Sequence, residues 1–380
     1  NGQNLDLNRD GMKLESPEVQ GLVRNVLNRW DPVLLVDCHT TNGSYHIEPV
    51  TYAWPLNPNG DPSIISYMHE KMMPAIQKNL RETYGTLSIP YGNFMDFKNP
   101  EKGWRPAGPQ PRYLTNYIGL RNRLAILNEN YAHADYKTRV LGCYNFLASI
   151  LDYCSLHKDE IKHLIKEADQ ATIRSGLTPH ETDTFILEYD VRPFKDPVTV
   201  IGWEMEVEQG ERRYPRVKRT DKKRIYTLPY YADYFSKKST RLPFGYLFPA
   251  VDKNIANKLI QHGIVVEQLL EPVSLEVETF RVKEIKGAAR LYQGHRMNSV
   301  KGEYTTETRE FPAGTLFVGT GQALGKVVAY LMEAESDDGL LVWNYFDKYL
   351  VSQWSRAPQT FPVHRVLEPV NLVKDMIKPE

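Results

Sequence analysis

Three places in the chain carry side chains able to do reaction chemistry: Asn8-Arg9, His39 and Glu129. An arginine can grip a carboxylate with two parallel charge-assisted hydrogen bonds, and an adjacent asparagine can add a further donor. A histidine can ligate a metal or carry a proton, and a glutamate can take a proton from water and return it to a leaving group. Taken singly each has an ordinary use, because histidines and glutamates near strand ends most often satisfy backbone or face solvent. Their order and context set them apart.

The elements that must position them follow from periodicity. Ser16-Pro17-Glu18 supplies an N-cap, a proline at the first helical position and an early carboxylate, and apolar residues at Val19, Leu22, Val23 and Leu27 continue with helical spacing, which predicts a helix over 17–29. After Asp31-Pro32, the short β-branched run Val33 to Val36 reads as a buried strand ending at Asp37-Cys38-His39. Ser63 to Tyr84 reads as an amphipathic helix, Leu124 to Leu127 as a second buried strand ending at Glu129, and Tyr136 to Tyr153 and Lys158 to Ile173 as two helices. Strands alternating with helices are the mark of an α/β unit, whose reactive groups sit at or just beyond the C-terminal ends of strands. From about Thr182 the pattern turns to period-two alternation, at 184–189, 198–203, 273–282 and 314–318, with helices near 251–262 and 322–334. The expected organisation is an α/β, mixed-sheet domain over 1–178 and a mostly β accessory domain over 179–380, with the boundary near Gly176 to Thr182.

Composition narrows the classes. Lys plus Arg equals Asp plus Glu at 47 each, so no footprint for nucleic acid or an anionic membrane is expected. The short basic run from Arg212-Arg213 to Lys222-Lys223-Arg224 reads as a solvated hairpin. No apolar run is long enough for a membrane span. Cys38, Cys143 and Cys154 are too few for a disulfide framework, and Cys143 and Cys154 lie too far apart along one helix to pair. Cys38 and His39, as strand neighbours, point to opposite faces and cannot form a nucleophile and base pair. The first residues resemble neither a signal peptide nor a translation start, so the chain is expected to be a fragment. Its 23 tyrosines and 25 prolines suit a secreted or periplasmic protein with binding surfaces.

Asp6-Leu7-Asn8-Arg9, Asp37-Cys38-His39 and Leu127-Asn128-Glu129 follow one another in this order, with Pro17-Glu18 after the Asn-Arg segment. The ordered set resembles the zinc carboxypeptidases over roughly residues 1–155, in particular large bacterial secreted members with a β-rich C-terminal extension. The resemblance implies a role for each matched residue. His39 becomes the third protein ligand of a Zn2+ ion held by two histidines and one glutamate. Arg9 and Asn8 hold the terminal carboxylate of a peptide substrate, Asp6 orients the first histidine ligand from behind, and Glu129 is the catalytic proton carrier. Tyr113 and Tyr117 are both candidates for the tyrosine that closes over the substrate, and Tyr117 enters the expected substrate-binding set. Arg112, Arg121 and Arg123 either select an acidic side chain or pair with carboxylates. Trp343, Tyr345, Phe346 and Trp354 pack on the first half or meet substrate chains, packing being the default.

One part of the pattern is missing. The only His-x-x-Glu in the chain is His157-Lys158-Asp159-Glu160, which follows Glu129 and lies among Lys158, Lys162 and Lys166 as a solvated helix start would. The first two zinc ligands are therefore expected upstream of Asn1, and the chain by itself is expected to hold zinc weakly and not to turn over peptide. Two alternatives stand beside this reading: a non-catalytic relative in which Asn8 and Arg9 still bind a peptide carboxylate, and an acyl-amino-acid amidohydrolase on the same scaffold.

Overall fold

The computed structural model describes residues 1–41, 43–207, 217–251, 253–350 and 359–377. Arg212-Arg213 and Trp354 lie outside the described residues. The first helical stretch runs as α1 (Pro17–Leu22), a π-helical turn (Val23–Leu27) and α2 (Asn28–Trp30). Ser16 caps it through its hydroxyl, and Asp31 in the left-handed region ends it.

A four-stranded mixed sheet carries the first half. Its strands are β1 (Leu34–Thr41), β2 (Val50–Ala53), β3 (Ser88–Pro90) and, beyond the short hairpin β4 (Asn93–Phe94) and β5 (Trp104–Arg105), β6 (Leu124–Tyr131). The order is β1-β6-β2-β3, with β1 and β6 parallel and β2 antiparallel to β6. Both site strands run further than their apolar stretches: β1 continues through Thr41 and β6 through Tyr131, so His39 and Glu129 lie inside strands rather than at or beyond their ends. The ladder of hydrogen bonds between the two carries on through the polar residues, which the hydrophobic pattern does not register. Helices α3 (Pro62–Ser66), α4 (Met73–Tyr84), α5 (Leu114–Leu120), α6 (Tyr136–Leu156) and α7 (Lys158–Leu177) complete this half.

The second half is rich in strands. β7 (Thr184–Pro193) pairs with β10 (Tyr231–Arg241), and β8 (Val198–Val207) with β9 (Val217–Leu228). The remaining strands, β11 (Gly245–Phe248), β12 (Glu267–Leu269), β13 (Val273–Gly287), β14 (Asn298–Phe311), β15 (Leu316–Gly319), β16 (Gln359–Val366) and β17 (Lys374–Met376), form one sheet in the order β14-β13-β16-β11-β15-β12-β17.

The packing does not divide at 178. One core joins Met12, Leu14, Val19, Tyr117 and Leu120 to Phe185, Tyr246, Tyr330 and Phe361, while another joins Ile126 and Phe146 to Val200, Tyr226 and Leu228. Gly176, placed by composition near a linker, is pressed against the backbone of Thr320, where an added Cβ would come within 2.2 Å of it. The two halves thus share their apolar interior, and the boundary visible in the sequence is a change of periodicity rather than a gap in contacts. Trp343 and Phe346 are fully buried, and the Tyr345 hydroxyl donates to Glu15 at 3.0 Å, so these aromatics are packing residues.

His364 on β16 is buried beside Phe311, with Nδ1 2.9 Å from Thr279 Oγ1. Burial, helped by nearby Arg309, pushes its pKa down to about 4. A histidine kept neutral in the fold but free to protonate when unfolded near 6.5 makes the unfolded state bind more protons between those values. Stability is therefore lost as pH falls from about 6.5 towards 4, by about 2 kcal/mol at pH 5 from this group. Urea unfolding at pH 7.5 and pH 5.0 should show that difference shrinking in His364→Gln; an unchanged difference counts against it.

Candidate active site

The chain enters the site through a single turn of 3-10 helix, Leu7–Arg9, whose N-cap is Asp6, accepting from the Asn8 N–H at 3.0 Å. The Asp6 N–H donates to Gln293 Oε1 at 2.8 Å, which ties the turn to the second half of the chain. Directly after Arg9, the fully buried Asp10 accepts from Lys13 Nζ at 2.6 Å and from the Ser16 N–H at 2.8 Å. That buried carboxylate anchors the segment, since its hydrogen bonds offset the desolvation of the charge.

Asn8 uses its side-chain oxygen to accept from the Leu114 N–H at 3.1 Å, docking the turn on the start of α5. Its amide nitrogen is left without an acceptor among the described residues. Arg9 donates through Nη1 to its neighbour's carbonyl at 2.7 Å, stands 3.7 Å from Asp6 Oδ2 and stacks over Tyr113 with Cζ 4.6 Å from the ring centre. That contact steadies the guanidinium while leaving donors for an incoming anion.

His39 and Glu129 are direct register partners on parallel β1 and β6. Paired positions share a face, and neighbouring strands lie about 4.8 Å apart, so the two side chains emerge together. Asp37, two residues before His39, shares this face, and its Oδ1 lies 2.8 Å from His39 Nε2, though off the line of a well-formed hydrogen bond. Contact with Asp37, with the charges of Glu129 and Asp6 beyond it, raises the His39 pKa against the opposing effect of burial. Burial pushes Glu129 up to about 7, where His39 opposes and Asp37 adds to the shift. A carboxyl group that exchanges its proton near neutrality suits a general base that must also act as an acid.

Asn8, Arg9, Glu129, Tyr91, Tyr113, Leu127, Trp54 and Asn116 border one cavity of about 100 Å³. Tyr117 does not reach it. The residue is fully buried one helical turn beyond Tyr113, its hydroxyl 2.8 Å from His262 Nδ1 and accepting from Arg121 Nη1 at 3.0 Å. Tyr117 is thus a core residue, and Tyr113 takes the place at the cavity. Arg112 is held by Asp338, Arg123 by Asp31 and Asp169, and Arg121 by Tyr117, the His262 carbonyl and Asn28, so none of the three faces the cavity. Asp37 stood in the sequence only as part of the Asp37-Cys38-His39 motif, with no role of its own, and Tyr91 and Asn116 were not identified there. Period-two alternation would have put Asp37 on the His39 face, whereas Tyr91 and Asn116 come from loop and helix segments with no local signal.

His157 and Glu160 meet at 3.1 Å on the exposed start of α7, where Glu160 also pairs with Lys71. Among the described residues no group of three His, Cys, Asp or Glu side chains is arranged to hold a metal ion, and no helix is long and apolar enough to cross a membrane. A larger groove of about 1060 Å³ opens beyond Trp54, between His69, Gln77 and Thr199, and includes none of Asp6, Asn8, Arg9, His39 and Glu129. Chemistry rather than volume therefore picks out the smaller cavity. Comparison with family models, with curated proteins and with solved structures gave no match.

Proposed function

We propose that this chain forms the rear part of a zinc carboxypeptidase catalytic region followed by a β-rich region, acting on peptides with a free C-terminal carboxylate in a secreted or periplasmic setting. One observation carries the reading: Asn8, Arg9 and Glu129, far apart in sequence, border one cavity, and His39 stands in register beside Glu129.

The residues present fit one corner of a zinc site. With Asp37 2.8 Å from Nε2, the His39 nitrogen left for a metal is Nδ1. The remaining ligands would come from a His-x-x-Glu pair upstream of Asn1, with Asp6 behind the first of them. Zinc bound there would supply a Lewis acid for the scissile carbonyl and an acidified water. Arg9 grips the terminal carboxylate, Asn8 adds its free amide donor, and Tyr113 covers the pair. Glu129 takes the proton of the attacking water and hands it to the departing amine. Ala53, Leu56, Ala107 and Leu127 line the rest of the cavity and offer the last side chain an uncharged wall.

A second reading for the chain alone is carboxylate binding without hydrolysis, which needs only Asn8 and Arg9 at the cavity. Calorimetric titration of an N-acetylated dipeptide separates recognition from turnover. Arg9→Ala is expected to weaken binding at least about 30-fold, the loss of one to two charge-assisted hydrogen bonds, and C-terminal amidation should do the same. Binding indifferent to both changes would sink the carboxylate site. Release of C-terminal amino acids by the polypeptide carrying the upstream segment tests the hydrolytic part, which falls if that segment holds no His-x-x-Glu.

A further inference from the structure

Cys38 sits on β1 between Asp37 and His39, so strand alternation sends its side chain to the reverse face of the sheet. Helix α6 packs on that face and brings Cys143 to the same spot. Asn128, the register partner of Cys38, places its amide nitrogen 3.3 Å from Cys143 Sγ and 3.7 Å from Cys38 Sγ, so one donor bridges both sulfurs. All three cysteines are free thiols, Cys38 exposed and Cys143 half-buried. Cys154 lies on the same helix 11 residues further on, packed against an apolar core. That spacing is about 16 Å along the helix axis, out of reach of Cys143.

We propose that Cys38 and Cys143 form an oxidisable dithiol, a modification site that reacts with small-molecule disulfides and closes into an intramolecular disulfide directly behind the His39 and Glu129 face. The thiolate of Cys38, the accessible partner, attacks one sulfur of the reagent, expelling one reagent thiol and forming a mixed disulfide. The Cys143 sulfur then displaces the second reagent thiol. The protein loses two electrons and two protons, and the reagent is recovered as two thiols. Burial and the neighbouring sulfur raise the Cys143 pKa, which suits it to the resolving step rather than the first attack. The donor from Asn128 steadies both sulfurs during the exchange. Because the bond would link strand β1 to helix α6 across a long stretch of chain, it would restrict the unfolded state strongly and hold the strand that carries Asp37 and His39. This inference is independent of the carboxypeptidase reading.

The test is incubation of the chain with oxidised glutathione, followed by thiol counting and by peptide mass spectrometry without reduction. The expected result is one remaining thiol, at Cys154, and a cross-linked peptide pair containing Cys38 and Cys143. The thermal midpoint should rise by about 5 °C and return on adding dithiothreitol. Cys38→Ser and Cys143→Ser should each abolish the shift, and Cys154→Ser should keep it. Separate glutathione adducts on Cys38 and Cys143, a bond to Cys154, or three persistent thiols would each overturn the proposal. The mapping on the unmodified chain decides even if a serine variant folds poorly.

Discussion

On the proposed carboxypeptidase reading, Glu129→Gln, made in a polypeptide extended upstream of Asn1, is expected to lower kcat for peptide hydrolysis about 1000-fold, the usual scale of a lost general base, with KM changed little. The amide keeps the size and polarity of the side chain on β6, and Arg9, Asn8 and Tyr113, which would hold the substrate, remain in place around the cavity. What disappears is the group able to exchange a proton near neutrality, since burial that raises a carboxyl to about 7 has no counterpart in an amide. Arg9→Ala should show the opposite split, with binding suffering first. Kinetics on a peptide series would separate the two. Glu129→Gln retaining near wild-type kcat would remove Glu129 from the chemistry, and a rise in KM alone would make it a binding residue.

Arg365→Ala is expected to destabilise the protein by about 3–5 kcal/mol, the usual cost of stripping one partner from a buried ion pair. Arg365 on β16 is nearly inaccessible, with Nη1 3.0 Å from Glu278 Oε2 and Nε 3.3 Å from Glu333 Oε1. Its guanidinium also donates to Thr240 Oγ1 at 2.9 Å and to the Arg241 carbonyl, and lies over the Tyr304 ring. Glu333 is fully buried and accepts from Tyr246 at 2.8 Å and from Tyr304 at 2.9 Å, so two neutral donors would remain, but no cation within the same contact. Removing the arginine leaves that buried charge with only those two neutral donors, and the fold must protonate it or open. Glu333→Gln combined with Arg365→Met should recover much of the loss, because the fully buried Glu333 charge goes together with its partner, while Glu278 keeps access to solvent. Chemical denaturation of the single and double variants measures this. Equal stability of Arg365→Ala and wild type would mean that solvent reaches the pair and screens it.

The residues of the candidate site were legible to different degrees, for physical reasons. Asn8, Arg9, His39 and Glu129 stood out because a short ordered pattern of polar residues beside apolar, β-branched runs is visible in one dimension. Helix α1 was legible at Ser16 and Pro17, whose cap and fixed φ act within one turn, and β1 and β6 were legible from their apolar stretches. Their full lengths were not, since the ladder between them continues through Asp37-Cys38-His39 and Asn128-Glu129, polar residues that an apolar pattern does not register even where, as at Asn128 and Glu129, they are buried.

The choice between Tyr113 and Tyr117 was beyond local pattern. Both lie at the start of one short helix, and only the packing of α5 against His262 and Arg121 drives Tyr117 inward while Tyr113 is left beside Arg9. The sequence by itself determined the polar inventory, the order of the site residues, the alternation that puts Cys38 and His39 on opposite faces, and the change from helical to period-two texture near residue 180. Tertiary structure alone decided which polar groups share a cavity, that Cys143 arrives behind Cys38, and that the two halves share their cores, because these depend on contacts between segments far apart in the chain. Such contacts form only when the whole sheet and its helices close together, and no window of local sequence encodes them.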